Sequence, residues 1–234
     1  MYIPASTAVT MFANTNPAAI LTFPVQRDVQ VLLDQAIYQV MSARFAGTPH
    51  QDFGKCAAYA IVGAQVLNLL TGAKCEAVCG GQIMDCGSDQ YLVISPKREE
   101  IRNARNLSNL SLYHCWIQVT PADFQSHEPL IVDFTVRYDA ESAKLLGKSY
   151  HQIATHHFLW ESSRYFDKDI PQTIRHHPHL KHKERGWLWR EARCERLLKK
   201  YAQQNRTQFT QMCADTLQVF ADKVEQLMQK MPAA

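Results

Sequence analysis

The sequence predicts an α+β fold: one buried helix packed on an antiparallel sheet, with further helices after it. The first observation is the stretch Ala57 to Leu70. It is apolar almost all round and ends at Gly72, so it belongs inside a core rather than on a surface. The second is a run of β-type segments after it (73–84, 91–94, 112–119 and 130–136) with no long helix between them. The third is the order itself. A helix followed by strands in series favours an antiparallel sheet covered on one face, not alternating βαβ units.

Residues 1–26 read as an irregular arm. They are interrupted by Pro4, Pro17 and Pro24 and lack the basic start of a signal peptide. Val29, Leu32, Leu33, Ala36, Ile37, Val40 and Met41 recur at three- and four-residue steps, which predicts an amphipathic helix to about Phe45, stopped by Gly47-Thr48-Pro49. In the first strand, Gly80-Gly81 reads as a bulge or bend. Residues 96–109 hold a short helix at most, and 139–147 another. Residues 148–186 carry seven histidines and resist assignment. Two helices follow, about 191–203 and 207–229, the second with a stripe of Phe209, Met212, Leu217, Phe220, Val224 and Leu227. The expected organisation is an arm (1–26), a core (27–147), and a histidine-rich segment with C-terminal helices packed on that core (148–234).

With 46% hydrophobic and 20% charged residues in a chain of 234, a sizeable core is affordable and disorder is excluded. A net charge of +3 is too small to imply nucleic acid or an anionic membrane surface. Glu184, Glu191 and Glu195 also interrupt the basic stretch 175–200. Seven cysteines at irregular spacing argue against a disulfide framework and for a reducing, cytoplasmic setting. No paired C-x-x-C knuckle is present. Pro178 breaks up the His176-His177-Pro178-His179 run, so no metal or other cofactor is expected.

The chemistry-bearing residue is Cys56, at the junction of a polar loop and the buried helix. In the first turn of a helix a thiol lies near unpaired N–H groups and the positive end of the dipole, both of which favour a thiolate. A thiolate nucleophile needs a base, and the base needs an orienting group. His114 stands near the start of the third strand, and Asp133 sits between Val132 and Phe134 in the fourth, an unusual place for a carboxylate. Alternation puts His114 on one face with Trp116 and Gln118, so neighbouring strands would let His114 and Asp133 hydrogen-bond. Taken singly, a buried cysteine or a strand histidine is an ordinary structural residue.

Together, Gly54-Lys55-Cys56-Ala57-Ala58-Tyr59-Ala60, His114-Cys115-Trp116-Ile117-Gln118-Val119 and Ile131-Val132-Asp133-Phe134-Thr135 resemble the transglutaminase-like branch of the papain-like cysteine peptidase superfamily. The resemblance spans about residues 50–137 and leaves 139–234 unmatched. It implies a central helix on an antiparallel sheet and a Cys56–His114–Asp133 triad. It also implies attack on an amide carbonyl through a thioester intermediate, by hydrolysis or acyl transfer. Gln51 is then a candidate oxyanion donor beside the Cys56 N–H, and Trp116 a shield for the His–Asp pair or plain core packing. The expected substrate is a peptide or protein amide, with no nucleic acid and no membrane. The C-terminal helices pack on the chain's own core, dimerise or hold a protein partner. The rival reading is a papain-like module without activity that binds a partner.

Overall fold

The computed structural model describes Leu21 and residues 25–48, 54–120, 128–152 and 157–229. Gln51, with its loop neighbour Asp52, and His156 lie outside these residues, as does most of the N-terminal arm. The architecture is α+β. Helix α1 (Arg27–Phe45) and the buried helix α2 (Cys56–Thr71) precede strands β1 (Lys74–Gly87) and β2 (Gln90–Ile94). Short helix α3 (Arg98–Asn103), strands β3 (His114–Thr120) and β4 (Leu130–Asp133), helix α4 (Asp139–Leu145) and strand β5 (Leu159–Ser162) follow. Strand β6 (Leu188–Arg190) and helices α5 (Ala192–Gln204) and α6 (Arg206–Gln229) complete the chain. The sheet runs β2-β1-β3-β4-β5, with β6 also paired to β1, and every pairing is antiparallel.

Helix α2 is enclosed as its composition requires: twelve of its residues are buried, and Gly72 closes it in the left-handed conformation with its N–H on the Asn68 carbonyl. Its contact with the sheet is close at Gly63, where a Cβ would stand 2.6 Å from Ile117 Cδ1 and 3.0 Å from the Phe134 ring. The sheet face under it contributes Cys75, Cys79, Cys115, Ile117, Val119 and Val132 to the main core. The other face carries a second cluster of Val78, Trp116 and Ile131, backed by Leu159, Phe166 and Leu188.

Four sequence expectations change. Gly80-Gly81 is not a bulge: pairing with β3 runs through Gly80 in unbroken register, and the irregularity falls between Asp85 and Gly87. The glycines admit β6 instead. A Cβ on Gly80 would lie 1.9 Å from the Trp189 carbonyl oxygen, and one on Gly81 would lie 2.3 Å from the Trp189 indole. The third strand begins at His114 rather than 112. The segment 148–190 supplies two strands, β5 against β4 and β6 against β1. The α6 stripe is buried at Phe209, Met212 and Phe220, but Leu227 is exposed.

Helix α1 is tied to the turn after β4 by a buried ion pair between Asp34 and Arg137. Burial raises the Asp34 pKa, and the adjacent guanidinium only partly offsets it. Removing Arg137 leaves an uncompensated carboxylate, so Arg137→Ala should cost about 3–5 kcal/mol, read as a lowered urea midpoint. A cost under about 1 kcal/mol would mean that water reaches Asp34 and the pair does not tie the elements. No helix among the described residues is long and apolar enough to cross a membrane.

Candidate functional site

The site forms where three element starts or ends converge: the first residue of α2 (Cys56), the first of β3 (His114) and the last of β4 (Asp133). β3 and β4 are direct neighbours, with Ile117 opposite Val132. Alternation puts His114 and Asp133 on one face, and His114 Nε2 lies 2.7 Å from Asp133 Oδ2. The other carboxylate oxygen, Oδ1, accepts from the Thr135 backbone N–H at 2.7 Å and its hydroxyl at 2.6 Å. Both side chains are buried. Trp116, two residues along the same face, is buried with its ring stacked on that of His114, centroids 6.1 Å apart. Trp116, read from the sequence as a shield or as core packing, stands beside the imidazole and also belongs to the Val78–Ile131 core cluster.

Burial by itself would keep His114 neutral, but the charge of Asp133 and its hydrogen bond outweigh it and raise the pKa to about 9. The Asp133 carboxyl is held below its usual value: burial opposes this, and the imidazolium and the two Thr135 donors prevail. The histidine's contribution to stability is therefore present below its ordinary value near 6.5 and is lost as pH rises through about 9.

Cys56 is half-buried and opens to the cleft. Its thiol pKa is lowered, first by a hydrogen bond with the Cys115 thiol, against burial, and then by the charge of His114. His114 acts on it through charge. The Asp133 bond uses Nε2 and leaves Nδ1 as the ring nitrogen available to Cys56. The Cys56 backbone N–H stands in the first turn of α2, where a helix offers no internal acceptor. Lys55 sits over the Phe45 ring, 5.3 Å from its centroid.

The cleft has two lobes. One, of about 300 Å³, runs past Cys56 and His114 between Met84, Ile94, Tyr138 and Leu145. The other, of about 410 Å³, runs along Trp116, Trp160, Tyr165 and Trp187, with Arg27 and Lys168 at its walls. Gln82, Met84, His114 and Asp139 line both.

Two of these residues escaped the sequence reading. Asp139 makes no side-chain hydrogen bond among the described residues. Burial first, then the nearby Asp133 charge, push its pKa up to about 8 against the opposing charge of His114, which favours the protonated acid. In sequence it looks like a helix-start residue. Gln82 also leaves its amide without a hydrogen bond among the described residues. Its one sequence signal is an amide between Gly81 and Ile83 in an otherwise apolar run. The histidine run is structural in part: His179 Nε2 meets the Pro96 carbonyl at 2.9 Å, and its ring stacks near Trp189. Among the described residues no group of three His, Cys, Asp or Glu is placed to hold a metal ion.

No family model matches the chain, and no curated protein does. A solved structure, described only as the crystal structure of a genomics target, superimposes with a TM-score of 0.46 at 12% sequence identity, over 85% of this chain and 79% of that one. A likeness at that level leaves function to be argued from the site itself.

Proposed function

We propose that the protein is a thiol-dependent hydrolase or acyl transferase acting on an amide, with the papain-like, transglutaminase-like arrangement as the finer description of its fold. The observation that carries the reading is the buried His114–Asp133 pair set beside a cleft-facing thiol at a helix start. Cys56 attacks the carbonyl carbon as thiolate. The Cys56 N–H receives the developing oxyanion. His114, as imidazolium, gives its proton to the leaving amine, and the amine departs as the thioester forms. Water or a second amine, deprotonated by the now neutral His114, then releases the acyl group and restores the thiol. Asp133 holds the imidazole by Nε2 throughout. The apolar lobe favours an uncharged acyl side chain next to the scissile bond. A peptide or protein amide remains the expected substrate, in a cytoplasmic setting. The α6 stripe is spent on the chain's own core, which leaves a homodimer or a protein partner little of it to use.

The test is the rate of iodoacetamide labelling at each cysteine across pH, mapped by peptide mass. Cys56 should label fastest near neutral pH, and its apparent pKa should rise in His114→Ala. Equal labelling of Cys56 and Cys213, a buried core thiol, would sink the proposal. Once a substrate is found, kcat/KM should fall as pH rises through about 9, the pH at which His114 loses the proton the leaving amine needs. A flat profile from pH 8 to pH 10 would take His114 out of the acid role.

A further inference from the structure

Asp139 and Gln82 line the cleft without a hydrogen bond among the described residues, and the proposed chemistry gives neither a task. The strands that place His114 also place them. Gly80 stands opposite His114 across β1 and β3. Alternation puts Gln82, two residues on, on that same face. The single turn Val136–Tyr138 carries the chain from the end of β4 to Asp139, the first residue of α4. Both residues border both lobes, as His114 does, whereas Cys56 borders only the apolar one. A ligand that runs from one lobe into the other therefore passes Asp139 and Gln82.

The lining gives such a ligand a direction. An acyl carbon at Cys56 lies in the apolar lobe. The leaving nitrogen takes its proton from His114, which stands where the lobes join, so the amine half continues into the lobe walled by Trp116, Trp160, Tyr165 and Trp187. The next group along a peptide in that direction is another peptide unit, with one carbonyl and one N–H. Away from bulk water each of these needs a partner. Burial and the Asp133 charge favour the protonated Asp139 carboxyl, which has an O–H to donate. The Gln82 amide has an oxygen that accepts.

We infer that Asp139 and Gln82 hold the peptide unit that follows the scissile amide, Asp139 donating to its carbonyl and Gln82 accepting from its N–H, so that the substrate is a peptide extended on its leaving side by an aromatic residue. The ring walls of the second lobe match an aromatic side chain, which gains from edge and stacking contacts as well as from burial. A small primary amide leaves both polar side chains unpaired and the second lobe empty. The inference rests on the proposed reading that Cys56 takes the acyl group, and adds which side of the substrate is recognised and by what.

The amine side can be tested without knowing the acyl group. The full chain is acetylated at Cys56 with p-nitrophenyl acetate, and loss of the acetyl group is followed by peptide mass against amine concentration near neutral pH. The amine nitrogen attacks the thioester carbon, the C–S bond breaks, an amide forms and the amine's proton passes to His114. An accepting amine thus occupies the place of a leaving one. Glycyl-phenylalanine amide is compared with phenylpentylamine, which keeps the ring and replaces the peptide unit by methylenes. The half-saturating concentration, counted as free amine, should favour the peptide amine by about tenfold. That ratio should fall towards unity in Asp139→Ala and in Gln82→Ala, and return in Asp139→Asn, which keeps a donor. Because a ratio is read, any change in thiol reactivity cancels. Equal half-saturation by the two amines in the wild type, an unchanged ratio in both alanine variants, or no return in Asp139→Asn would overturn the inference. If Cys56 takes the acetyl group but does not distinguish the amines, the inference fails alone. If Cys56 takes no acetyl group, the proposed function fails with it.

Discussion

Replacing Cys56 by alanine is expected to lower amide cleavage by about 10⁶-fold, towards the rate that binding and oxyanion contacts alone can support. In the proposed mechanism the side chain supplies the bond that splits one hard step into two, and the described cleft offers no second exposed thiol. Cys79 and Cys115 lie in the same cluster, but both are sealed in the core. The fold should be indifferent to the change. Position 56 is the first residue of α2, alanine is the best helix former, and the lost sulfur vacates a half-exposed spot. Thermal unfolding should therefore stay within about 1 kcal/mol of the wild type while kcat/KM collapses. If kcat/KM retained more than about one part in a hundred, the nucleophile would have to be sought elsewhere in the cleft.

Asp133→Asn should lower kcat/KM by about 10⁴-fold with the fold retained. Asp133 accepts three hydrogen bonds, two from Thr135 on Oδ1 and one from His114 on Oδ2. In asparagine only one oxygen remains. If it stays with the two Thr135 donors, the amide NH₂ faces His114 Nε2 and can only donate. Nε2 must then become the acceptor, which moves the ring proton to Nδ1, the nitrogen that should take a proton from Cys56. The loss of the negative charge also withdraws what raises the His114 pKa, so the imidazole reverts to the neutral form that burial favours. A structural role alone would slow cleavage without changing its pH dependence. A tautomer change moves the upper pH limb down and slows Cys56 labelling at neutral pH with it. Unchanged labelling would show that Asp133 positions nothing at the thiol.

Much of this site can be read along the chain, for identifiable reasons. Helix α2 is legible because a helix apolar on all sides has only one place to go. The His114–Asp133 pair is legible because alternation puts both on one face once β3 and β4 are neighbours, and a carboxylate between Val132 and Phe134 demands a partner. Gly80-Gly81 reads as a bulge from sequence alone because a glycine pair signals close backbone approach without naming what approaches. That was Trp189, more than a hundred residues on. β5 and β6 were invisible for the same reason: with four and three residues they carry no periodicity of their own and exist only through pairing with β4 and β1.

The amino-acid sequence by itself determined the fold class, the enclosed helix, the thiol at its start, and the histidine and aspartate that meet on one sheet face. These follow from local periodicity, which a chain carries with it. Tertiary structure alone decided that Cys56 packs against the core cluster that holds Cys79, Cys115 and Cys194. It also decided that Asp139 and Gln82 border both lobes of the cleft, and that Trp116 stacks on the imidazole. Each of these depends on which distant segments come to lie against each other, and on the burial that results. That burial, with the charges it brings together, sets whether a thiol, an imidazole or a carboxyl carries its proton.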